Sequence, residues 1–311
     1  MDLQRLQSKL QRRLRSLQSK ENQMIDSIVK KGIYHRSMPQ DYVVAEDLGT
    51  MQCPFPFIAL SDGCSAGQHS EIGAMIITRA ARAVAKEMYP DGDQIFDRLL
   101  PSLHARLKTT VSALNLELDD MIATLRIAYI LNGKVYMIGH GDGFDLFILG
   151  DGSAQYDQYK YLINAPFYPA YDTFNCRTDY EMIGGHPGAN MLKLNRDTTT
   201  LPDLVGAVHD FPSTYISRMT ADLKDFKPMY IGVASDGLES YVRGNTDIIP
   251  PKDVITSLAA IKNPAGEFLV RRFQKMDKEY TALGFENQDD IAVALINVDC
   301  YRATIEANKE G

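Results

Sequence analysis

Several carboxylates in this chain stand where apolar, strand-forming runs stop. The run 55–60 ends at Ser61-Asp62-Gly63, and the run 229–234 ends at Ser235-Asp236-Gly237. A third run, 136–139, ends at His140-Gly141-Asp142-Gly143, and in a reversed arrangement Asp289-Asp290 leads into the apolar stretch 291–296. A strand end holds a carboxylate rigidly, and small glycine neighbours let backbone carbonyls and water approach it. One Asp-Gly pair is an ordinary turn. Several acidic strand ends in one chain point to a shared site for a hard divalent cation, which takes oxygen ligands.

The elements that must position these residues are legible from periodicity and turn chemistry. Residues 70–88 and 94–118 carry helical apolar patterns separated by the turn Pro90-Asp91-Gly92-Asp93. Residues 121–130 and 134–139 form a hairpin around Asn132-Gly133, and 41–45 and 144–149 are further strands. Helices are expected over 251–261 and 264–280, and a short helix or frayed tail over 301–311. Residues 1–31 read as a basic amphipathic helix, with Leu3, Leu6, Leu10, Leu14 and Leu17 on one stripe. Residues 154–227 are the poorest in pattern and rich in Tyr and Pro.

Composition bounds the function. The chain has 311 residues, 45% hydrophobic and 23% charged, enough for a large buried core in one domain or two. A net charge of −7 disfavours a general nucleic-acid binder. Residues 1–31 depart from that balance, with eight Lys/Arg against three Asp/Glu. The stripe there suits packing or self-association better than a membrane anchor or a targeting peptide, because it lacks interfacial aromatics and Asp2 opposes a transit peptide. No apolar run has the length of a membrane span, and Cys53, Cys64, Cys176 and Cys300 show neither metal-finger spacing nor a disulfide framework. A cytoplasmic location without membrane insertion is the expectation.

The ordered set of motifs resembles the metal-dependent serine/threonine protein phosphatases of type 2C (PPM-type). The residues that carry the resemblance are Arg36 with Gln40-Asp41, Asp62-Gly63, Gly141-Asp142, Ser235-Asp236-Gly237 and Asp289-Asp290, spanning about 32–298. The resemblance implies an α+β fold, a four-layer α-β-β-α sandwich of two mainly antiparallel sheets flanked by helices. It implies a catalytic domain over 32–300, with a variable flap-like insertion at 154–227.

It also implies two Mn2+ or Mg2+ ions, with a third, weaker one as an addition. Asp62 would bridge the two ions and Gly63 would offer its carbonyl. Asp236 and Asp289 would complete one ion, Asp41 would serve the other directly or through water, and Asp142 matches the additional position. Arg36 would grip the phosphate through its planar fork. The implied reaction is hydrolysis of phosphoserine or phosphothreonine in a protein by metal-activated water.

The chain departs from the family pattern in places. Cys64 stands where many members have a histidine after the Asp-Gly, so the proton donor is open among His69, His35, His140 and a metal-bound water. Cys64 itself reads as a small turn residue or a reactive thiol. Gln40 replaces a frequent acid, weakening or rerouting the second ion, and Asp290 replaces a frequent Asn, adding negative charge. Two other readings stand beside the phosphoprotein phosphatase: a catalytically silent phosphatase-like domain that binds a phosphorylated partner, and a metal-dependent hydrolase of small phosphate esters. No Walker-type loop is present, which disfavours a nucleoside triphosphatase of that class.

Overall fold

The computed structural model describes residues 23–35, 38–64, 69–150, 152–162, 190–194, 208–213, 216–244 and 246–310. Two six-stranded sheets dominate it. The first has the order β1 (Ile25–Lys30), β15 (Ile291–Asn297), β11 (Pro228–Ala234), β6 (Gly143–Leu149), β7 (Ala154–Leu162), β8 (Asn190–Leu194). The second has the order β2 (Tyr42–Asp47), β3 (Pro56–Ser61), β4 (Leu125–Leu131), β5 (Lys134–His140), β10 (Ile216–Asp222), β9 (Val208–Ser213). Every neighbouring pair in both sheets is antiparallel.

The sheets lie face to face, and strand alternation explains how. On β3 and β4, Phe57, Ala59, Ile127 and Tyr129 pack on helices α1 (Ser70–Met88) and α2 (Ile95–Leu114). Ile58, Leu60, Ala128 and Ile130 point the other way, into a layer shared with Ile231, Val233, Ala292 and Ala294 of the first sheet. The outer face of the first sheet, including Tyr230, Ile291, Val293 and Leu295, is covered by α3 (Pro251–Ala259) and α4 (Phe268–Ala282). A period of two puts successive residues on opposite faces, so strands buried on both sides read as unbroken apolar runs. The result is the expected four-layer α-β-β-α sandwich.

A small third sheet sets the edge where the site lies. Its strands are β12 (Tyr241–Arg243), β13 (Asp247–Ile248) and β14 (Glu286–Asn287), and Tyr241 pairs with Asn287. This pairing ties the chain just after Asp236 to the chain just before Asp289. The hairpin between β4 and β5 turns through Asn132 and Gly133, both with positive φ, as the Asn-Gly pair requires.

The structure bears on three expectations about the chain's organisation. The helix expected over 1–31 does not extend to its end, because Ile25–Lys30 is strand β1, paired with β15 from Ile25↔Ile296 to Lys30↔Ile291. Ile25, Ile28 and Val29 are β-branched, and pairing closes an edge of β15 that would otherwise be open. Residues 1–22 lie outside the described residues. The flap expected over 154–227 begins and ends in sheet, with β7 extending the first sheet and β10 pairing with β5 in the second. Of the short helix or frayed tail expected over 301–311, the helix is found: residues 301–310 continue α5 (Val298–Glu310), which buries Tyr301 against the inter-sheet layer.

Candidate active site

Asp62 follows β3 directly, and the backbone around it is held by one neighbour. Thr124 donates its N–H to the Asp62 carbonyl at 2.8 Å, and its hydroxyl oxygen accepts the Asp62 N–H at 3.1 Å. Ser61 Oγ donates to the Thr124 carbonyl at 2.5 Å, and Cys64 N donates to the Ile122 carbonyl at 2.9 Å. Gly63 is buried and bridges to Ala123. The Asp-Gly turn is therefore latched to the chain entering β4, a relationship no local motif announces.

Asp236 opens a one-turn 3-10 helix after β11, and its position is fixed by Ser235. Ser235 N donates to the Ala292 carbonyl at 3.0 Å, and Ser235 Oγ accepts the Ala292 N–H at 3.0 Å. Gly237 packs so tightly on the next loop that a Cβ there would lie 1.7 Å from the Asp290 carbonyl oxygen. The Ser-Asp-Gly segment and the Asp289-Asp290 segment thus interlock.

Asp41, just before β2, is 3% exposed, yet neither carboxylate oxygen has a hydrogen-bond partner. Burial pushes its pKa up to about 7; the neighbouring Asp62 carboxyl and Ser235 hydroxyl temper the rise, and Asp290 and Asp289 add to it. Burial and then the repulsion of Asp41 and Asp236 raise Asp62 well above the usual carboxylate range. Burial, followed by the charges of Asp142 and Asp289, does the same to Asp236. Desolvated like charges disfavour ionisation, and a cation among them removes both penalties.

The structure brings Asp41, Asp62, Asp142, Asp236 and Asp289 into one electrostatically coupled group. The donor set is entirely oxygen, which fits Mn2+ or Mg2+ and not a thiolate-seeking metal. Among the described residues no three His, Cys, Asp or Glu side chains are already gathered into a ligand-ready cluster. The unpartnered buried oxygens of Asp41 are the feature that fits a cation most directly. Arg36 lies outside the described residues.

Asp290 adds its negative charge beside Asp41, as the sequence suggested, but its carboxylate is directed away from the open site. It is 2% exposed and turned toward the 32–40 segment. Its Oδ1 accepts Gly32 N–H at 2.7 Å, and its Oδ2 accepts the Gln40 N–H and lies 2.6 Å from His35 Nδ1. His35 Nε2 is 3.7 Å from Asp289 Oδ1. Of the three histidines considered as acids, His35 contacts these carboxylates, His69 is an exposed residue near Glu71, and His140 is buried with its ring 6.5 Å from that of His104. Sequence reasoning missed Thr124, the latching role of Ser235, and the inward turn of Asp290.

Architecture defines a fold class, the two-sheet α-β-β-α sandwich with an acidic edge. The chain shares the fold of the S. agalactiae serine/threonine phosphatase, with 15% identity, a TM-score of 0.53, and coverage of 88% of this chain and 98% of that one. A bacterial serine phosphatase matches at 12% identity and TM-score 0.52, over 88% of this chain and 96% of that one. The SiaA-PP2C domain of Pseudomonas aeruginosa matches at 11% identity and TM-score 0.50, over 94% of each chain. No curated protein matches the sequence. In the sequence itself, residues 30–158 match the protein phosphatase 2C family, so this segment is similar to that type 2C, PPM-type group. That match includes Arg36, Asp41, Asp62 and Asp142. The family is in general Mn2+ or Mg2+ dependent.

Proposed function

We propose that this protein is a metal-dependent phosphoprotein phosphatase that hydrolyses phosphoserine and phosphothreonine. The observation that carries the reading is the buried Asp41 carboxylate, whose oxygens have no hydrogen-bond donor and which lies beside Asp62 and repels Asp236. A folded chain keeps several acids together out of water only where something neutralises them. Two Mn2+ or Mg2+ ions bound there would supply Lewis-acid activation of the attacking water and charge stabilisation.

Within this reading Asp62 and Asp236 would hold the ions from strand ends, with the Gly63 carbonyl, Asp41 and Asp289 as the other ligands and Asp142 at a weaker position. Asp289, with its side chain 52% exposed, faces solvent and the incoming ester. Arg36 binds two phosphate oxygens and offsets charge in the transition state. His35, held by Asp290 and facing Asp289, is the side chain we assign to the leaving alkoxide's proton.

The catalytic unit is taken to begin with β1, and residues 1–22, with their leucine stripe, are assigned to self-association. Among the described residues no helix is long and apolar enough to cross a membrane; the cytoplasm is the location carried over from the cysteine spacing of the sequence. The test is phosphate release from a phosphothreonine peptide and from an aryl phosphate, with Mn2+, with Mg2+ and with chelator. A higher kcat/KM for the peptide supports a protein substrate; preference for the aryl ester favours a small-ester hydrolase. A folded protein silent with every metal favours the phosphatase-like binding domain.

A further inference from the structure

Arg126 stands on β4 two residues after Thr124 and is wholly buried. A guanidinium is kept out of water only when its charge and its donors are matched. Its charge is met by Asp145, with Arg126 Nη1 3.1 Å from Asp145 Oδ1. Two further hydrogen bonds go to a turn rather than to a side chain. Nη2 donates to the Gly141 carbonyl at 2.8 Å, and Nε donates to the Asp142 carbonyl at 3.3 Å. The fit is close, since a Cβ on Gly139 would lie 2.4 Å from Arg126 Nη1.

The turn it grips is the one that carries Asp142. Gly141 and Gly143 on either side have φ of +94° and +120°, a backbone with little preference of its own for one conformation. We propose that Arg126 is a positioning residue that fixes the Gly141-Asp142-Gly143 turn and so presents the Asp142 carboxylate to the cation cluster. Asp145 balances the guanidinium, so the brace adds no net positive charge beneath a site that must attract cations. This inference rests on the reading of Asp142 as an ion ligand.

The experiment is calorimetric titration of the full chain with Mn2+, alongside metal-free melting. The variants are Asp142→Asn, the paired Arg126→Met/Asp145→Leu change, and all three together. The paired change removes both buried charges at once, so neither is left uncompensated. Both Asp142→Asn and the paired variant are expected to weaken the same Mn2+ binding event about tenfold, as loss of an outer-shell partner does. The triple variant is expected to be no weaker than either, because the two changes remove one function.

A paired variant that binds Mn2+ like the wild type while Asp142→Asn loses the event would overturn the role of Arg126 and leave the site reading intact. Additive losses in the triple variant would overturn it as well. Wild-type binding by Asp142→Asn would remove Asp142 as a ligand and the proposal with it. If the paired variant does not fold, Arg126→Lys retains the buried charge opposite Asp145 and loses the fork on the turn. It must then show the same tenfold weakening; a lowered melting midpoint with unchanged Mn2+ binding would mark a purely structural residue.

Discussion

Asp62 and Thr124 are joined by two backbone-directed hydrogen bonds, one in each direction, at 2.8 and 3.1 Å. The backbone of this candidate-site aspartate is thus held by a threonine more than sixty positions later in the chain. Thr124→Val keeps the shape and leaves the Asp62 N–H without its acceptor, at a cost of about 1–3 kcal/mol. Urea unfolding should show a lowered midpoint for Thr124→Val, with Thr124→Ser near wild type. Equal stability of all three would remove Thr124 from the latch.

Gly237 predicts a second effect. An alanine Cβ there meets the Asp290 carbonyl at 1.7 Å, so the strand end and the final loop must separate. Gly237→Ala is expected to destabilise the protein by about 1–3 kcal/mol or more. Gly150→Ala, where a Cβ meets nothing within 4 Å, serves as the control. Thermal melting compares them directly, and equal midpoints would contradict the interlock.

Asp290 is predicted to act through the 32–40 segment. Asp290→Asn keeps one acceptor but turns an amide toward Gln40 N–H and His35, so one of the loop's anchors is lost. Because Arg36 lies on this segment, the loss should raise KM for a phosphopeptide more than it lowers kcat. Steady-state kinetics that show a fall in kcat alone would place Asp290 elsewhere in the mechanism.

The acid cluster makes metal-free stability depend on pH. Asp41 has a folded pKa of about 7 against an ordinary value of 3.8, so between those values the folded protein binds more protons than the unfolded chain. Stability is therefore greatest at the acidic end of that window and falls as pH rises toward 7, at up to about 1.4 kcal/mol per pH unit for one proton. Asp62 and Asp236, shifted the same way, deepen the fall. Melting in chelator from pH 5 to 8 should show the decline, and Mn2+ should abolish it. A flat metal-free profile would contradict the buried, repelling cluster.

Much of this was legible in the sequence. Asp62, Asp142 and Asp236 stand out because a strand end beside glycine is a local signal, whereas Asp41, with no glycine beside it, is legible only through the family resemblance carried by Arg36 and Gln40-Asp41; the α1 and β4–β5 boundaries follow from periodicity and an Asn-Gly turn. What escaped depends on tertiary pairing. Thr124 and Arg126 look like ordinary strand residues until β4 is set beside β3 and β5. Asp290 looked like one more acid because nothing in its own neighbourhood reveals that the backbone of Gly32 and Gln40 takes up its oxygens. Residues 25–30 were drawn into a helix by the leucine stripe before them, while their β-branched side chains answer to β15.

The most direct test of the account is Mn2+-dependent phosphate release from a phosphothreonine peptide by the wild type, Asp62→Ala and Asp236→Ala, with folding of each checked by circular dichroism. The account predicts release by the wild type that chelator stops and excess Mn2+ restores, with loss of at least about a hundredfold in both folded variants. Release that survives chelator, or that persists undiminished in either variant, would contradict a metal-assisted reaction at this cluster.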